Sequence, residues 1–324
     1  MLIRSELLGL RSDDSPQRRA QDGMADALAA WRASAHASAA EFELGRFADG
    51  TDLADLPLLA ALFAPGDFAD RFCADLIGTL LAQLDCEPLG QSPLRHYSDE
   101  VVTTVSLLRR GTTTLTLVAI DGTGLARQPA QQSVSFSPTE TCEHVLAGSA
   151  VAERIVITLL QPNRAVLERH PVVVEAGVVM HRFGAGEALI YRTVPACLVI
   201  LKLQRRAGPG DVVREYALND GALLHQAAGS PRDSRLELSV ALLGRMGRRD
   251  AAPMLAAMAE ERGSTPLRWQ VLRECLALDT AEGFAALCHI AARPDDPLRG
   301  PAGALRAQLV DTYPVLAGFP PCPG

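Results

Sequence analysis

Between residues 101 and 216, ten short strand-like runs follow one another, the first two dense in Val, Leu, Ile and Thr, with Gly or Pro punctuating the chain and no helical pattern between them. They cover 101–108, 112–120, 133–136, 142–146, 154–160, 165–174, 178–183, 188–191, 197–204 and 212–216. Branched side chains fit a pleated, half-buried surface, and glycine and proline supply the turns between strands. Arg109-Arg110-Gly111 reads as the first hairpin turn. Strands this closely spaced leave no room for crossover helices, so they pair antiparallel in a sandwich or jelly roll. The runs at 112–120 and 197–204 are densely apolar and are predicted to be inner strands.

On either side the period is helical. Met24, Ala27, Leu28 and Trp31 repeat at the spacing of one buried helix face. Asp67 precedes Phe68, Phe72, Cys73, Leu76, Ile77, Leu80 and Leu84, as an N-cap precedes a wide apolar stripe. Asp55 and Pro57 open a short helix through Phe63, so three helices fit the first segment. The chain thus reads as α+β, with N-terminal helices at 1–90, a β-sandwich or jelly roll at 91–222 and a helical segment at 223–324.

The last segment carries two similar texts, 235–259 and 268–287. Asp250 and Asp279 each stand five and eight residues before large apolar side chains, as N-caps of buried helices would. The pattern resembles HEAT-type helical repeats, which implies helix pairs that stack, with residues 301–313 as a third helix and 319–324 as a loose end. Two repeats leave an end of the stack bare, so the helices are expected to dock on the rest of the chain.

Charge and cysteine usage exclude several functions. The net charge is −7, and no Lys or Arg run forms a stripe for phosphates, so nucleic acid is not an expected partner. Lys202 is the only lysine, and the arginine and alanine excess reads as the codon usage of a GC-rich genome. The seven cysteines include no Cys-x-x-Cys pair, which argues against a zinc knuckle and for a reducing, cytoplasmic location. The N-terminal residues lack a secretory apolar core, and no apolar stretch reaches the ~18 residues of a membrane span.

No phosphate loop, Gly-x-Ser-x-Gly elbow or His-Glu-x-x-His motif occurs. Gly122 and Gly124 read as a turn between strands, without the strand-to-helix setting that cradles phosphate. Residues 135–148, ending Val145-Leu146-Ala147-Gly148, can be laid on the latter part of the Gly-x5-His-x-His-x3,4-Glu-x6-Gly motif. On these residues the middle segment resembles the cupins, small jelly rolls. In that register Ser135, Ser137 and Thr141 take the places of the metal-binding His, His and Glu. Residues 175–181 echo the second cupin motif, with its proline missing and His181 one residue late. The resemblance therefore implies a cupin-like fold with the usual metal site vacant, since neutral hydroxyls are poor ligands for transition metals.

Other constellations stay open. His144, His170 and His181 lie in one domain with Glu140, Glu143 and Glu175 nearby, an alternative set for Fe or another divalent transition metal. His96, Asp99, His181 and Arg192 resemble the ligands and cosubstrate arginine of 2-oxoglutarate-dependent oxygenases, with the acid three residues after the first His where that family has two. Cys142 beside Glu143 and His144 is expected to be a packed thiol, because adjacent strand residues point apart. Arg245, Arg248 and Arg249 read as a solvated turn, and Trp31 and Trp269 as core.

The function expected from these features is non-catalytic: a binding or scaffold protein that presents a metal-free barrel and a helical repeat surface to a protein or peptide partner, without a cofactor. A metalloenzyme with an atypical His-based site and a small-molecule sensor are the alternatives. Association as a homodimer stays open.

Overall fold

The computed structural model describes residues 12–206 and 212–318. The chain divides into two compact units, the first built from the residues up to 134 with 139–206 and 218–221, the second from 135–138, 212–217 and 222–318 among the described residues. The expected loose end at 319–324 and the N-terminal residues 1–11 lie outside the described residues.

Four helices open the first unit: α1 (Ser15–Arg32), α2 (Ala35–Ala48), α3 (Pro57–Leu62) and α4 (Phe68–Cys86). Three are expected from the sequence; α2 is the addition, and its buried face is thin because Ala37 and Ala40 share it with Leu44 and Phe47. Ser34 caps it by accepting from the Ala37 N–H. Glu43, buried on α2, accepts the N–H groups of Leu58 and Leu59 at 3.0 and 2.8 Å, so a distant carboxylate satisfies the first turn of α3. Asp67 stands at the start of α4 but makes no capping bond; it pairs with Arg71 at 3.0 Å.

The strands of this unit are β1 (His96–Ser98), β2 (Val102–Arg110), β3 (Thr113–Asp121), β5 (Thr139–Ala147), β6 (Ser149–Gln161), β7 (Arg164–Glu175), β8 (Val179–Phe183), β9 (Glu187–Thr193) and β10 (Cys197–Arg206). They form a six-stranded sheet in the order β1-β2-β3-β10-β5-β8 and a three-stranded sheet in the order β7-β6-β9, with antiparallel pairing. The predicted inner strands are the neighbours β3 and β10 at the centre of the larger sheet, in register from Cys197 opposite Asp121 to Gln204 opposite Thr114.

Alternation sends successive side chains to opposite faces, and here both faces are covered. Leu115, Cys142, Leu201 and Leu203 pack with Leu28, Trp31, Phe47 and Phe72 of the helices. Trp31 meets Phe72 edge-on at 5.5 Å, so this tryptophan is core as expected. Val118, Ile120, Val145, Leu198 and Ile200 face the other way and pack with Ala150, Ala152 and Val174 of the three-stranded sheet. The first unit is therefore a helical layer, a sheet and a second sheet, with two apolar cores.

The second unit combines β4 (Ser133–Phe136), β11 (Val212–Ala217) and β12 (Leu223–Ala228), in the order β12-β11-β4, with five helices. These are α6 (Pro231–Arg245), α7 (Ala252–Glu260), α8 (Thr265–Leu278), α9 (Thr280–Ala292) and α10 (Arg299–Thr312). Val240, Leu255, Val271, Leu272, Phe284 and Leu287 are shared in one core, to which Trp269 adds a partly buried ring. Asp279 caps α9 by accepting from Ala281 and Glu282, as its spacing implies. Asp250 does not cap α7: a 3-10 turn at Arg249–Ala251 precedes that helix, and Asp250 binds Arg248 at 2.7 Å.

Candidate functional site

The two cores of the first unit differ in one respect. Thr141, Glu143 and Val145 lie on the sandwich-facing side of β5, opposite Gln204, Lys202 and Ile200 of β10. On β8 the same two rows meet Arg182, opposite Thr141, and Met180, opposite Glu143. Val145 and Ile200 belong to the apolar cluster, but the next two rungs are polar.

Glu143 is 2% exposed. Its carboxylate accepts from both terminal nitrogens of Arg182, at 2.5 and 2.9 Å, and from Lys202 Nζ at 3.2 Å. Burial pushes the Glu143 pKa up, yet the bonds from Arg182 and the charge of Lys202 outweigh it and hold the group below its ordinary 4.5. Burial likewise opposes the charge of Arg182, and Glu143 more than restores it. Tyr191 of β9 adds a buried hydroxyl beside the Glu143 carboxylate. Burial first, and then the negative charge of Glu143, push this phenol well above its ordinary value, so it stays protonated. Gln204 is within 3.4 Å of the Thr141 hydroxyl. Lys202 keeps 24% of its side chain exposed, so solvent reaches this end of the sandwich.

The residues singled out from the sequence lie elsewhere. His144 is on the opposite face of β5 from Glu143, with Nδ1 2.8 Å from the Leu62 carbonyl oxygen in the helical layer. His181 is exposed on β8 and pairs with Glu140 at 3.1 Å, while His170 is exposed on β7, an edge of the other sheet, 3.6 Å from Glu168. The alternative metal set His144, His170 and His181 is therefore corrected: the three are not gathered, and no group of three His, Cys, Asp or Glu among the described residues could hold a metal ion. The oxygenase resemblance fails for a related reason, because His96 on β1 and His181 on β8 occupy opposite edges of the six-stranded sheet. Asp99 there accepts the Val101 and Val102 N–H groups, and Arg192 pairs with Glu153 at 2.5 Å.

Thr141 lies in the sandwich, whereas Ser135 and Ser137 belong to the other compact unit. The Cys142 thiol is packed against the helices as expected, and burial, with help from Glu140 and Glu143, pushes it up to about 12. The turn reading of Gly122 and Gly124 is corrected: β3 runs straight into a six-residue helix, α5 (Gly122–Arg127). No phosphate loop results, because the Asp121 carboxylate accepts the Gly124 N–H at 2.7 Å. Glycine is needed at 122 for close packing, since a Cβ there would sit 1.9 Å from the Val194 oxygen.

In the second unit a cleft of about 610 Å³ is lined by paired charges, with Arg268 held bidentately by Asp296. A groove of about 560 Å³ is lined mainly by apolar side chains, among them Leu276, Leu309, Tyr313 and Val315, with Arg273 beside them. Arg248 pairs with Asp250, and Arg245, Arg248 and Arg249 are exposed, as a solvated turn would be. Among the described residues no helix is long and apolar enough to cross a membrane, and the six described cysteines are free thiols.

Sequence reasoning missed Arg182, Lys202 and Tyr191 as site residues. Lys202, as the only lysine, was the one available signal. No protein-family model and no curated protein matches the chain. Solved structures give partial likenesses. The cupin domain of Drosophila melanogaster CENP-C is 9% identical, with 36% of this chain and 77% of that chain covered at a TM-score of 0.27. A putative mannose-6-phosphate isomerase from Ralstonia eutropha JMP134 is 17% identical, with 36% and 94% covered at 0.25. A cupin protein from Bacteroides fragilis is 13% identical, with 31% and 70% covered at 0.21. These overlaps each span about a third of the chain, at scores that settle neither a family nor an activity.

Proposed function

We propose that the chain is a non-catalytic binding protein whose strand-rich unit takes a small molecule into the polar end of its cupin-like sandwich, without a metal or other cofactor. The observation that carries this reading is the engagement of Glu143. Its oxygens already accept from Arg182 and Lys202, which removes the buried carboxylate as a general base and as a ligand for a cation. The same two cations repel a divalent metal. The buried Tyr191 phenol lies beside the same carboxylate and adds a hydroxyl to this polar end of the sandwich. The test is thermal denaturation of the full, untagged chain against a library of small metabolites. A subset should raise the melting temperature in a concentration-dependent way. If no compound does so and the protein carries stoichiometric Fe, Mn, Ni or Zn, the metalloenzyme alternative replaces this reading.

A second reading, a peptide partner, is favoured by the apolar groove of the helical unit. Its lining suits a short amphipathic peptide with Leu-type anchors and an acid opposite Arg273. Fluorescence anisotropy of such a peptide, with Val315→Asp as the variant that should abolish binding, decides it; equal binding by the variant would exclude the groove.

A further inference from the structure

We propose that the outward face of α6 is a docking site for a short amphipathic helix of a protein partner, one that presents two apolar anchors with an acid beyond each. The residues concerned lie neither in the sandwich nor in the apolar groove of the helical unit, so this surface stands apart from both sites above.

The sequence gives α6 two apolar stripes. Ser230 caps the helix by accepting from the Asp233 N–H, and Leu236, Val240 and Leu243 recur along one side and pack into the core of the helical unit. That stripe alone would seat the helix. Leu238 and Leu242, with Met246 at the C-cap, recur at i, i+4 and i+8 on another side and are 71%, 57% and 58% exposed. Single apolar side chains on a surface are ordinary, but three in one row make a patch of the kind that marks an interaction surface. Met246 also adapts its shape to what it meets.

Charge frames this row. Arg235 stands three residues before Leu238 and Arg245 three after Leu242, so a guanidinium closes each end. Both side chains are exposed, and neither is engaged in an ion pair among the described residues. Asp233 and Glu237, the acids of α6, are half-buried on the opposite side. Arg248 beyond the helix is already held by Asp250, while Arg232 and Arg249 add to the same positive sign. A partner with acids opposite Arg235 and Arg245 gains at both ends, and a basic one is repelled.

The same pattern turns away a second copy of the chain. Two α6 helices related by a two-fold axis passing between Leu238 and Leu242 would set Arg235 of one copy against Arg245 of the other. Like charges would then meet at both ends. The row from Arg235 to Met246 is about 17 Å long and one helix wide. Such a strip falls far short of the roughly 800 Å² per partner of a stable subunit interface. It fits one helix laid along it, read through two anchors one turn apart.

The test uses the full chain and two labelled synthetic helical peptides. One carries two Leu residues four apart with Glu three residues outside each; the other has Lys in place of both Glu. Fluorescence anisotropy should show saturable binding of the Glu peptide, weakened by salt, and at least about tenfold weaker binding of the Lys peptide. The double variant Arg235→Glu, Arg245→Glu should reverse that preference, and Leu242→Ser should abolish binding of both peptides. All three positions are exposed, so melting temperatures equal to wild type are expected and confirm that the variants fold. Equal binding of the two peptides, a preference that the double variant leaves unchanged, or no saturable binding of either overturns the proposal. A concentration-dependent dimer in sedimentation that Leu242→Ser dissociates also overturns it and gives the face to a second copy.

Discussion

The imidazole of His144 and the main-chain oxygen of Leu62 are joined across two layers of the first unit: Nδ1 lies 2.8 Å from the oxygen, and His144 is 1% exposed. A carbonyl only accepts, so Nδ1 is the donor and the ring is a tie between β5 and the end of α3. His144→Ala should destabilise the protein by about 2–4 kcal/mol, through a cavity and an unsatisfied carbonyl. His144→Phe should recover the packing part alone. Urea denaturation of the three proteins checks this, and equal stability of wild type and the alanine variant would rule out the tie.

Glu143→Gln keeps the shape of the side chain and removes its charge. Arg182 and Lys202 are then left without a counter-charge in a buried setting, and the expected loss is about 3–5 kcal/mol. Chemical denaturation gives the number. A loss below about 1 kcal/mol, the size of an exposed pair, would mean that solvent screens the cluster.

The same carboxylate sets an acid limit. Its folded-state pKa is depressed, so it contributes stability fully above its unfolded value of 4.5, and that contribution is lost as pH falls through the lower folded value. Urea midpoints of the wild type should therefore drop between about pH 5 and pH 3 more steeply than those of Glu143→Gln. Parallel curves would contradict the depressed pKa.

In the helical unit, Arg268 donates through Nε to the Ala259 oxygen at 2.8 Å and through both terminal nitrogens to Asp296 at 3.1 and 2.6 Å. Asp296 also accepts the Leu298 N–H at 2.9 Å, and the bond from Arg268 holds its pKa below the ordinary value. Removing either partner should cost about 3–5 kcal/mol, and the double variant Arg268→Ala, Asp296→Ala clearly less than the sum of the two. Additive single losses in a double-mutant cycle would show that the two side chains act independently.

Much of the fold was legible because period-2 and period-3.6 patterns are local. Eight of the ten predicted strand runs lengthen or shift by a few residues, 178–183 loses its first residue, and 133–136 matches β4 outright. β1 and β12 were missed: all three residues of β1 are exposed, and β12 is Leu-Leu-His-Gln-Ala-Ala, without β-branched side chains. α2 was hidden because alanine supplies two of its five buried residues and glutamate a third. The site was harder to read for a different reason. In a strand covered on one face, polar residues mark the outside, but β5 is covered on both. Glu143 and His144 are adjacent, both almost fully buried, and point to different cores. Nothing in the local pattern says which of them faces the sandwich. The partners of Glu143 are 39 and 59 residues away in sequence, and only the strand order β10-β5-β8 brings them together.

That strand order also dictates when the larger sheet can exist during synthesis. β10 is the last of its six strands to leave the ribosome, yet it fills the middle position between β3 and β5. Until residue 206 has emerged, β1-β2-β3 and β5-β8 are two fragments, each with a long unpaired edge. The central pairing closes a loop of about 80 residues, an entropic cost that local hairpins avoid. A nascent chain stalled before β10 would therefore expose the inward edges of β3 and β5 together, and an apolar strand from another chain could take the place reserved for β10.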